Sequence, residues 1–541
     1  MSNLWYKNAI FYELNIKSFQ DSNADGIGDF KGLTKRLPYI KELGVDCIWL
    51  LPMYPSPGKD DGYDIMDYCA INPDYGTMED FVEFINEAHR LNLKVLGELV
   101  LNHTSDRHQW FIEAKKSEPN KYRDYYVWSD TPKKYSDARI IFTDSEISNW
   151  TWNNECKKYY WHRFFHHQPD LNFDNPLVRE EMINIVKFWF DLGLDGFRAD
   201  AVPYLFEREG TNCENLPETH EFIKYLRKFI DDNYPDKILL AEANQWPEDL
   251  LVYFGEGDEF HMAFNFPLMP RMFMAVKQEH HGPIVDIMKR LPDIPSTCQW
   301  AIFLRNHDEL TLEMCTDEER DYMFKEYAKD KQMKINVGIR RRLAPLLENS
   351  YRKMELLNTI LFTLPGTPVI YYGDEIGMGD NIYLGDRNGV RTPMHWDQNK
   401  NAGFSGCAPS RLHAPIIADP EYNYNTINVE SQKNNPNSIL NFMKNLISVR
   451  KKYKIFGYAD LAFIYPENKK ILAFLREYDG EIILCVFNLS GKSQPVEMDL
   501  STYKDKTPLE ILGDTEFPKI GELPYFLTLS PYGYYLFYLK S

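Results

Sequence analysis

Eight short apolar runs, each followed by a longer stretch of helical periodicity, constrain this chain more than any other feature. The runs are Ala9–Leu14, Cys47–Leu51, Val95–Leu101, Gly196–Ala199, Ile238–Ala241, Met262–Phe266, Trp300–Leu304 and Val369–Tyr372. Their length and flanking turn residues read as buried strands. Between them, stretches such as Phe81–Leu91, Val178–Leu192 and Thr219–Asp232 carry apolar residues at helical spacing. A strand buried on both faces and followed by a helix belongs to a parallel sheet, because a crossover is needed to start the next strand in the same direction. Eight such units predict an α/β fold closed into a (β/α)8 TIM barrel. An open doubly wound sheet is the alternative, and the lack of a GxGxxG loop after the first run counts against it.

The rhythm breaks twice and then ends. Residues 103–169, after the third run, are aromatic and irregular, and are expected to form a small inserted domain over the barrel mouth. Residues 310–350, after the seventh run, are dense in charge and are expected to form a helical insertion. From about Lys454 the pattern becomes alternating, as in Ile471–Arg476, Ile482–Asn488 and Tyr534–Tyr538. That predicts a C-terminal antiparallel β-sandwich over 454–541, leaving 1–102 and 170–453 for the barrel. The division suits a chain of 541 residues, more than one compact core holds.

A net charge of −19 argues against a nucleic-acid partner, which needs clustered Lys and Arg. The one dense basic run, Arg340-Arg341-Arg342, lies in mixed-charge sequence and reads as a solvated helix face. The stretch beginning at Met1 has no apolar signal core, and no apolar run reaches the roughly 18 residues of a membrane span. A cytoplasmic protein without a membrane partner is expected. None of the eight cysteines forms a CxxC pair, so they read as reduced, mostly buried thiols and not as a zinc site. Aromatic residues at 15% serve either large cores or sugar-stacking platforms. The composition leaves room for a homo-oligomer.

In a parallel barrel, the residues just past the C-terminal strand ends share one mouth. Here they are Asn102-His103, Arg198-Ala-Asp200, Glu242-Ala-Asn244 and Arg305-Asn-His307-Asp308-Glu309. Ionisable groups converging in this way are costly unless they are paired or employed. Retaining glycosidic chemistry employs such a set: one carboxylate attacks the anomeric carbon, and a carboxylic acid roughly 5 Å away protonates the leaving oxygen. Asp200 and Glu242, on strands about 4.8 Å apart, meet that spacing. Arg198 is two residues before Asp200, so it shares its face and favours its ionised form. Neither a GxSxG elbow nor a complete GxxxxGK(S/T) phosphate loop competes with this reading.

Glu98-Leu-Val-Leu-Asn-His103, Gly196-Phe-Arg-Ala-Asp-Ala201, Glu242-Ala-Asn244 and Arg305-Asn-His-Asp308 together resemble the conserved segments of the α-amylase family, glycoside hydrolase family 13. The resemblance runs over essentially the whole chain. It implies Asp200 as nucleophile, Glu242 as acid/base and Asp308 as the group that grips the 2- and 3-hydroxyls of the distorted sugar. It implies sugar contacts from Tyr63, His103, Gln168 and His307, with Arg198 orienting the nucleophile. Asp64 of Gly62-Tyr63-Asp64 would hold the 4- and 6-hydroxyls of the innermost glucose, and Arg391 would help seal the pocket. Glu98 in place of the usual Asp, His166–Asn175, Asn306–Met314, Thr316–Met323 and Gly338–Leu346 are similar to the branch that isomerises maltose (α-1,4) to trehalose (α,α-1,1), with minor hydrolysis. Maltose and trehalose are the implied substrates, with sucrose as a further candidate. A plain α-glucosidase of the same family and a non-catalytic relative remain the alternatives.

Structural calcium is implied at two places. One set is Asn102, Asp170, Glu207 and the carbonyls of Tyr204 and Leu205, where magnesium also suits the hard oxygen ligands. The other is the loop Asp21, Asn23, Asp25, Ile27 and Asp29, whose every-second-residue spacing resembles a calcium loop without its terminal Glu.

Overall fold

The eight apolar runs form the strands β1 (Phe11–Leu14), β2 (Cys47–Leu50), β3 (Lys94–Val100), β4 (Gly196–Asp200), β5 (Ile238–Ala241), β6 (Met262–Phe264), β7 (Gln299–Phe303) and β8 (Thr367–Tyr371). This is a computed structural model describing residues 4–118 and 120–540, so the first three residues of the N-terminal stretch considered above lie outside it. Every neighbouring pair of these strands is parallel, and Phe11 of β1 lies opposite Val369 of β8. The ring therefore closes in the order β1-β8-β7-β6-β5-β4-β3-β2. Closure leaves no sheet edge, which is why strands as short as the three residues of β6 suffice.

The helices between the strands start and stop on chemical signals. Helix α1 (Phe30–Leu43) begins at Asp29, whose carboxylate accepts the Gly32 N–H, and ends at Gly44 with φ +101°. A Cβ at Gly44 would stand 2.8 Å from Ile447 Cγ2, so this end requires glycine on two counts. Helix α2 (Met78–Arg90) opens with a reciprocal Thr77–Asp80 capping box and turns Phe81, Phe84, Ile85 and Ala88 inward. Helix α3 (Pro176–Asp191) starts on Asn175 with Pro176 in its first turn.

Residues 103–169 leave the barrel after β3 and return to it ahead of α3 and β4. They contain a helix, Gln109–Ala114, and a three-stranded sheet in the order Trp128–Ser129, Lys158–Trp161, Trp150–Asn153. Bridges from His103 to Asp170 and from Tyr126 to Leu171 fasten the segment to the barrel mouth.

The charged segment after β7 departs from expectation. It has one sizeable helix, Asp317–Tyr327, but also a small antiparallel sheet of Leu310–Thr311, Gly338–Ile339 and Lys334–Ile335. Asn336 turns this hairpin at φ 46°. The arginine run is not a solvated face either. Arg342 is fully buried and donates to Tyr372 O at 2.7 Å, Arg341 pairs with Asp380 at 2.9 Å, and Arg340 is 9% exposed. Fixed backbone carbonyls and an Asp take the place of water around these guanidinium groups.

The C-terminal strands form a six-stranded antiparallel sheet from Asp460–Ile464 to Thr515–Glu516 and a two-stranded one, Gln494–Met498 with Tyr525–Leu529. A core of Leu484, Val486, Val496, Leu527 and Phe537 lies between them. Buried Arg476 joins this domain to the barrel by donating to the carbonyl of Thr363, and it also bonds those of Phe456 and Ala459 at the start of its own domain; Arg450, on the last barrel helix, bonds Phe362 and Gly366 within the barrel. Among the described residues no helix is long and apolar enough to cross a membrane. All eight cysteines are free thiols, with Cys69 exposed and Cys156 half-buried.

Candidate active site

The C-terminal ends of β3, β4, β5 and β7 open into one cavity, of about 130 Å³. Each water needs about 10–15 Å³, so it has room for on the order of ten. Asp200 ends β4, Glu242 follows β5, and Asp308 follows β7; all three line the cavity, with Tyr63 and His103.

One guanidinium organises the acidic groups. Arg198 is 1% exposed; it donates to Asp200, lies 2.7 Å from Glu242 and bonds Glu98 at 3.0 Å. Glu98 in turn accepts from Trp49 Nε1 at 2.8 Å and Tyr63 OH at 3.1 Å. Beyond Asp200, Ala201 takes the left-handed conformation, φ 53°, and donates its N–H to Glu242 Oε2 at 3.0 Å. A non-glycine residue held there signals local strain that the surrounding packing maintains.

The two carboxyls are poised differently. Burial pushes Asp200 up to about 6 against the pull of Arg198. Burial pushes Glu242 further, to about 8, and the charges of Asp200 and Asp308 add to the rise. Near neutral pH one is mostly ionised and the other mostly protonated, the division that a nucleophile and a general acid require. Burial opposes the charge on Asp308 as well, but His307, Arg387 and Arg391 hold it well below the usual carboxylate range. Arg387 and Arg391 reach its Oδ1 at 2.9 and 2.8 Å.

Several expected sugar contacts lie behind the cavity wall. Asp64 is fully buried, and its oxygens accept from Ser56, Lys59 N and Asp60 N. It is Asp60 that reaches the cavity, paired with Arg387 at 2.6 Å. Positive φ at Asp61 and Gly62 turns the loop so that the earlier carboxylate points inward. Gln168 is buried and donates to Asp60 at 2.8 Å, so it supports the wall without forming it. His307 stacks behind Tyr63 at 5.5 Å, drawn back by a 2.6 Å bond from its Nδ1 to Glu13. Arg391 is 1% exposed and braces Asp308 from below; Arg387 is the arginine on the wall.

The outer wall was anticipated only at Asn244 and Glu309. Phe142 and Phe164 of the inserted domain face Asn244, Glu309, Thr311 and Glu313 across the opening. The signal was available only in part: Glu313 falls within the charged segment, whereas Phe142 and Arg387 sit in loops without periodicity.

The two metal sets differ. Asn102 Oδ1, Asp170 Oδ2 and Glu207 Oε1 are each buried without a hydrogen-bond partner. Burial pushes Asp170 up to about 8 and Glu207 well above the usual range, with Asp170 adding to the latter. The carbonyls of Tyr204 and Leu205 belong to the turn after β4. Among the described residues no three His, Cys, Asp or Glu side chains converge as metal ligands, so a cation here would rely on two carboxylates, an amide oxygen and carbonyls. In the loop 21–29, by contrast, Asp21 accepts from Asn23 N, Ala24 N, Gly26 N and Ser405 Oγ, and Asn23 and Asp25 accept from Asp25 N and Ile27 N. Asp29 caps α1 and accepts Ser22 N. The loop holds its shape by its own bonds and leaves no buried oxygen of these residues unpartnered.

With this geometry in place, likenesses to known proteins are informative. The α-amylase catalytic domain matches residues 14–459, and the maltogenic amylase C-terminal domain matches 461–536. The chain is 56% identical over 550 residues to the trehalose synthase/amylase of Mycolicibacterium smegmatis, covering 99% of this chain and 93% of that one. It is 55% identical over 551 residues to the trehalose synthase of Pimelobacter sp., covering 99% and 96%. Among solved structures, the trehalulose synthase of Pseudomonas mesoacidophila MX-45 superposes with a TM-score of 0.79 at 27% identity, covering 99% of each chain.

Proposed function

The chain belongs to the α-amylase family, and from that premise we propose that it isomerises maltose to trehalose by intramolecular glucosyl transfer, with minor hydrolysis. The observation that carries the reading is the Asp200–Glu242 pair: two carboxyls on adjacent strands, joined by Arg198, poised on opposite sides of neutrality in a cavity whose rim includes Phe142 and Phe164 of the inserted domain. The resemblance to trehalose synthases over nearly the full length selects the substrate.

In this scheme an Asp200 oxygen attacks the anomeric carbon of the non-reducing glucose of maltose. The C1–O4′ bond breaks, and the departing O4′ takes the Glu242 proton. The freed glucose stays in the chamber and turns. Its anomeric hydroxyl then attacks the glucosyl carbon, Glu242 takes back a proton, and the bond to Asp200 breaks to give the α,α-1,1 linkage. Transfer outruns hydrolysis because the held glucose has a high effective concentration and the rim limits water. Asp308, fixed by two guanidinium groups, is placed to accept from sugar hydroxyls beside the reacting carbon. Asn244, Glu309 and Glu313 offer hydrogen-bonding groups to the freed glucose.

The unpartnered oxygens of Asn102, Asp170 and Glu207, with the carbonyls of Tyr204 and Leu205, suit a calcium ion. It would neutralise two buried carboxyls next to the His103 end of β3, and it would serve structure alone. Chelation is expected to lower the melting temperature, and Asp170→Asn is expected to abolish that sensitivity.

Incubating the protein with maltose and quantifying trehalose against glucose tests the main reading, with Asp200→Ala as the inactive control. Predominant glucose would make the chain an α-glucosidase instead.

A further inference from the structure

The buried arginine run has a use in this frame. Arg340 donates from Nε to Gln332 O at 2.7 Å, within the charged segment. Its terminal nitrogens reach the other way, to the carbonyls of Ile382 at 3.3 Å, Leu384 at 3.1 Å and Asp386. Alternate carbonyls of one loop thus converge on one guanidinium. Arg341 holds the start of that loop through Asp380, and the loop ends in Arg387. Its outer side is bare: Tyr383 is 78% exposed, and nothing stands within 4 Å of where a Gly385 Cβ would be. Arg387 crosses the cavity to Asp60 and Asp308, with its guanidinium 5.5 Å from the Phe142 ring of the inserted domain. Arg340 itself does not line the cavity.

We propose that Arg340 is a positioning residue: it holds the loop 381–386 in the one register that carries Arg387 across the cavity, and so couples the charged segment to closure of the site. Three carbonyls in different directions need the planar fork of arginine; a lysine ammonium, a single point on a flexible stem, cannot span them. With the clamp gone, Arg387 loses its fixed origin and the Asp60–Arg387–Phe142 side of the chamber loosens. Water then competes with the held glucose for the glucosyl-enzyme. The last step rests on the isomerase reading; the clamp itself does not.

The test uses the full-length protein and three readouts: hydrogen exchange of amides 381–388, the trehalose-to-glucose ratio from maltose, and kcat and KM separately. In Arg340→Lys, the loop amides are expected to exchange about tenfold faster or more, the effect of losing one or two charged hydrogen bonds. The product ratio is expected to fall by about tenfold, with KM rising more than kcat falls. In an Arg387→Ala background, Arg340→Lys is expected to change the ratio no further, because both act through the same side chain. A one-glycine insertion after Gly385 leaves Arg340 in place and is expected to reproduce the loop and ratio changes, which covers failure of the substituted protein to fold. Unchanged exchange overturns the clamp. A loosened loop with the parental ratio, or additive effects with Arg387→Ala, overturns the coupling. Should the parent make no trehalose, the isomerase reading fails alone, and the coupling is judged from KM for glucose release in the same variants.

Discussion

At the scale of single residues, the site depends on one cation shared among three carboxyl groups. Arg198 serves Glu98, Asp200 and Glu242 together, so the nucleophile and the acid titrate as a coupled pair. Asp200 has to be ionised, so activity is lost as pH falls through about 6; Glu242 has to be protonated, so activity is lost as pH rises through about 8. The expected kcat/KM profile is a bell with limbs near those values, measured on maltose. Glu242→Gln is expected to lower kcat by about 10²–10⁴-fold and to remove the alkaline limb. The strand-end carboxylates were legible in the sequence because a strand end fixes where a side chain points. Asp60 was not, since Asp60, Asp61 and Asp64 offer three carboxylates in five positions and only the turn at Asp61-Gly62 decides which faces inward.

At the scale of elements, two excursions from the barrel meet over the mouth. Asp144 of the inserted domain accepts the Asn336 N–H of the hairpin after β7 at 2.8 Å, and Arg139 reaches Glu313 at 3.3 Å. Asp144→Ala removes one rim contact and touches no core. It is expected to shift stability by no more than about 0.5 kcal/mol in urea titration while raising the glucose share of the products. The barrel strands were readable because burial on both faces leaves an unbroken apolar run. The segment 310–350 was legible only in part: its helix Asp317–Tyr327 was expected, but its strands are two residues long, too short to show alternation, and charge density resembles solvation whether the guanidinium groups meet water or carbonyls.

At the scale of the whole molecule, barrel and C-terminal domain are joined by an arginine donor with no carboxylate bonded to it. Arg476 is 1% exposed and bonds the barrel carbonyl of Thr363 together with those of Phe456 and Ala459 at the start of its own domain. Arg476→Met fills a similar volume but leaves buried carbonyls unpaired. A loss of about 3 kcal/mol is expected, read as a lower urea midpoint at an unchanged m-value. This junction had no signature in the sequence: Arg476 sits in an ordinary alternating strand pattern, and only the packing of two domains makes it interior.

The pairing of Phe11 with Val369 has one more outcome, in the order of events during synthesis. The first barrel strand waits for the eighth, more than 350 residues later in the chain. At ribosomal speeds of 5–20 residues per second, that is roughly 20–70 s with an apolar edge unpaired. Asp200, Glu242 and Asp308 are therefore all translated before the ring that aligns them can shut. A growing chain released between residues 308 and 371 carries every catalytic carboxylate and no catalyst, and its bare strands are what a chaperone would have to shield.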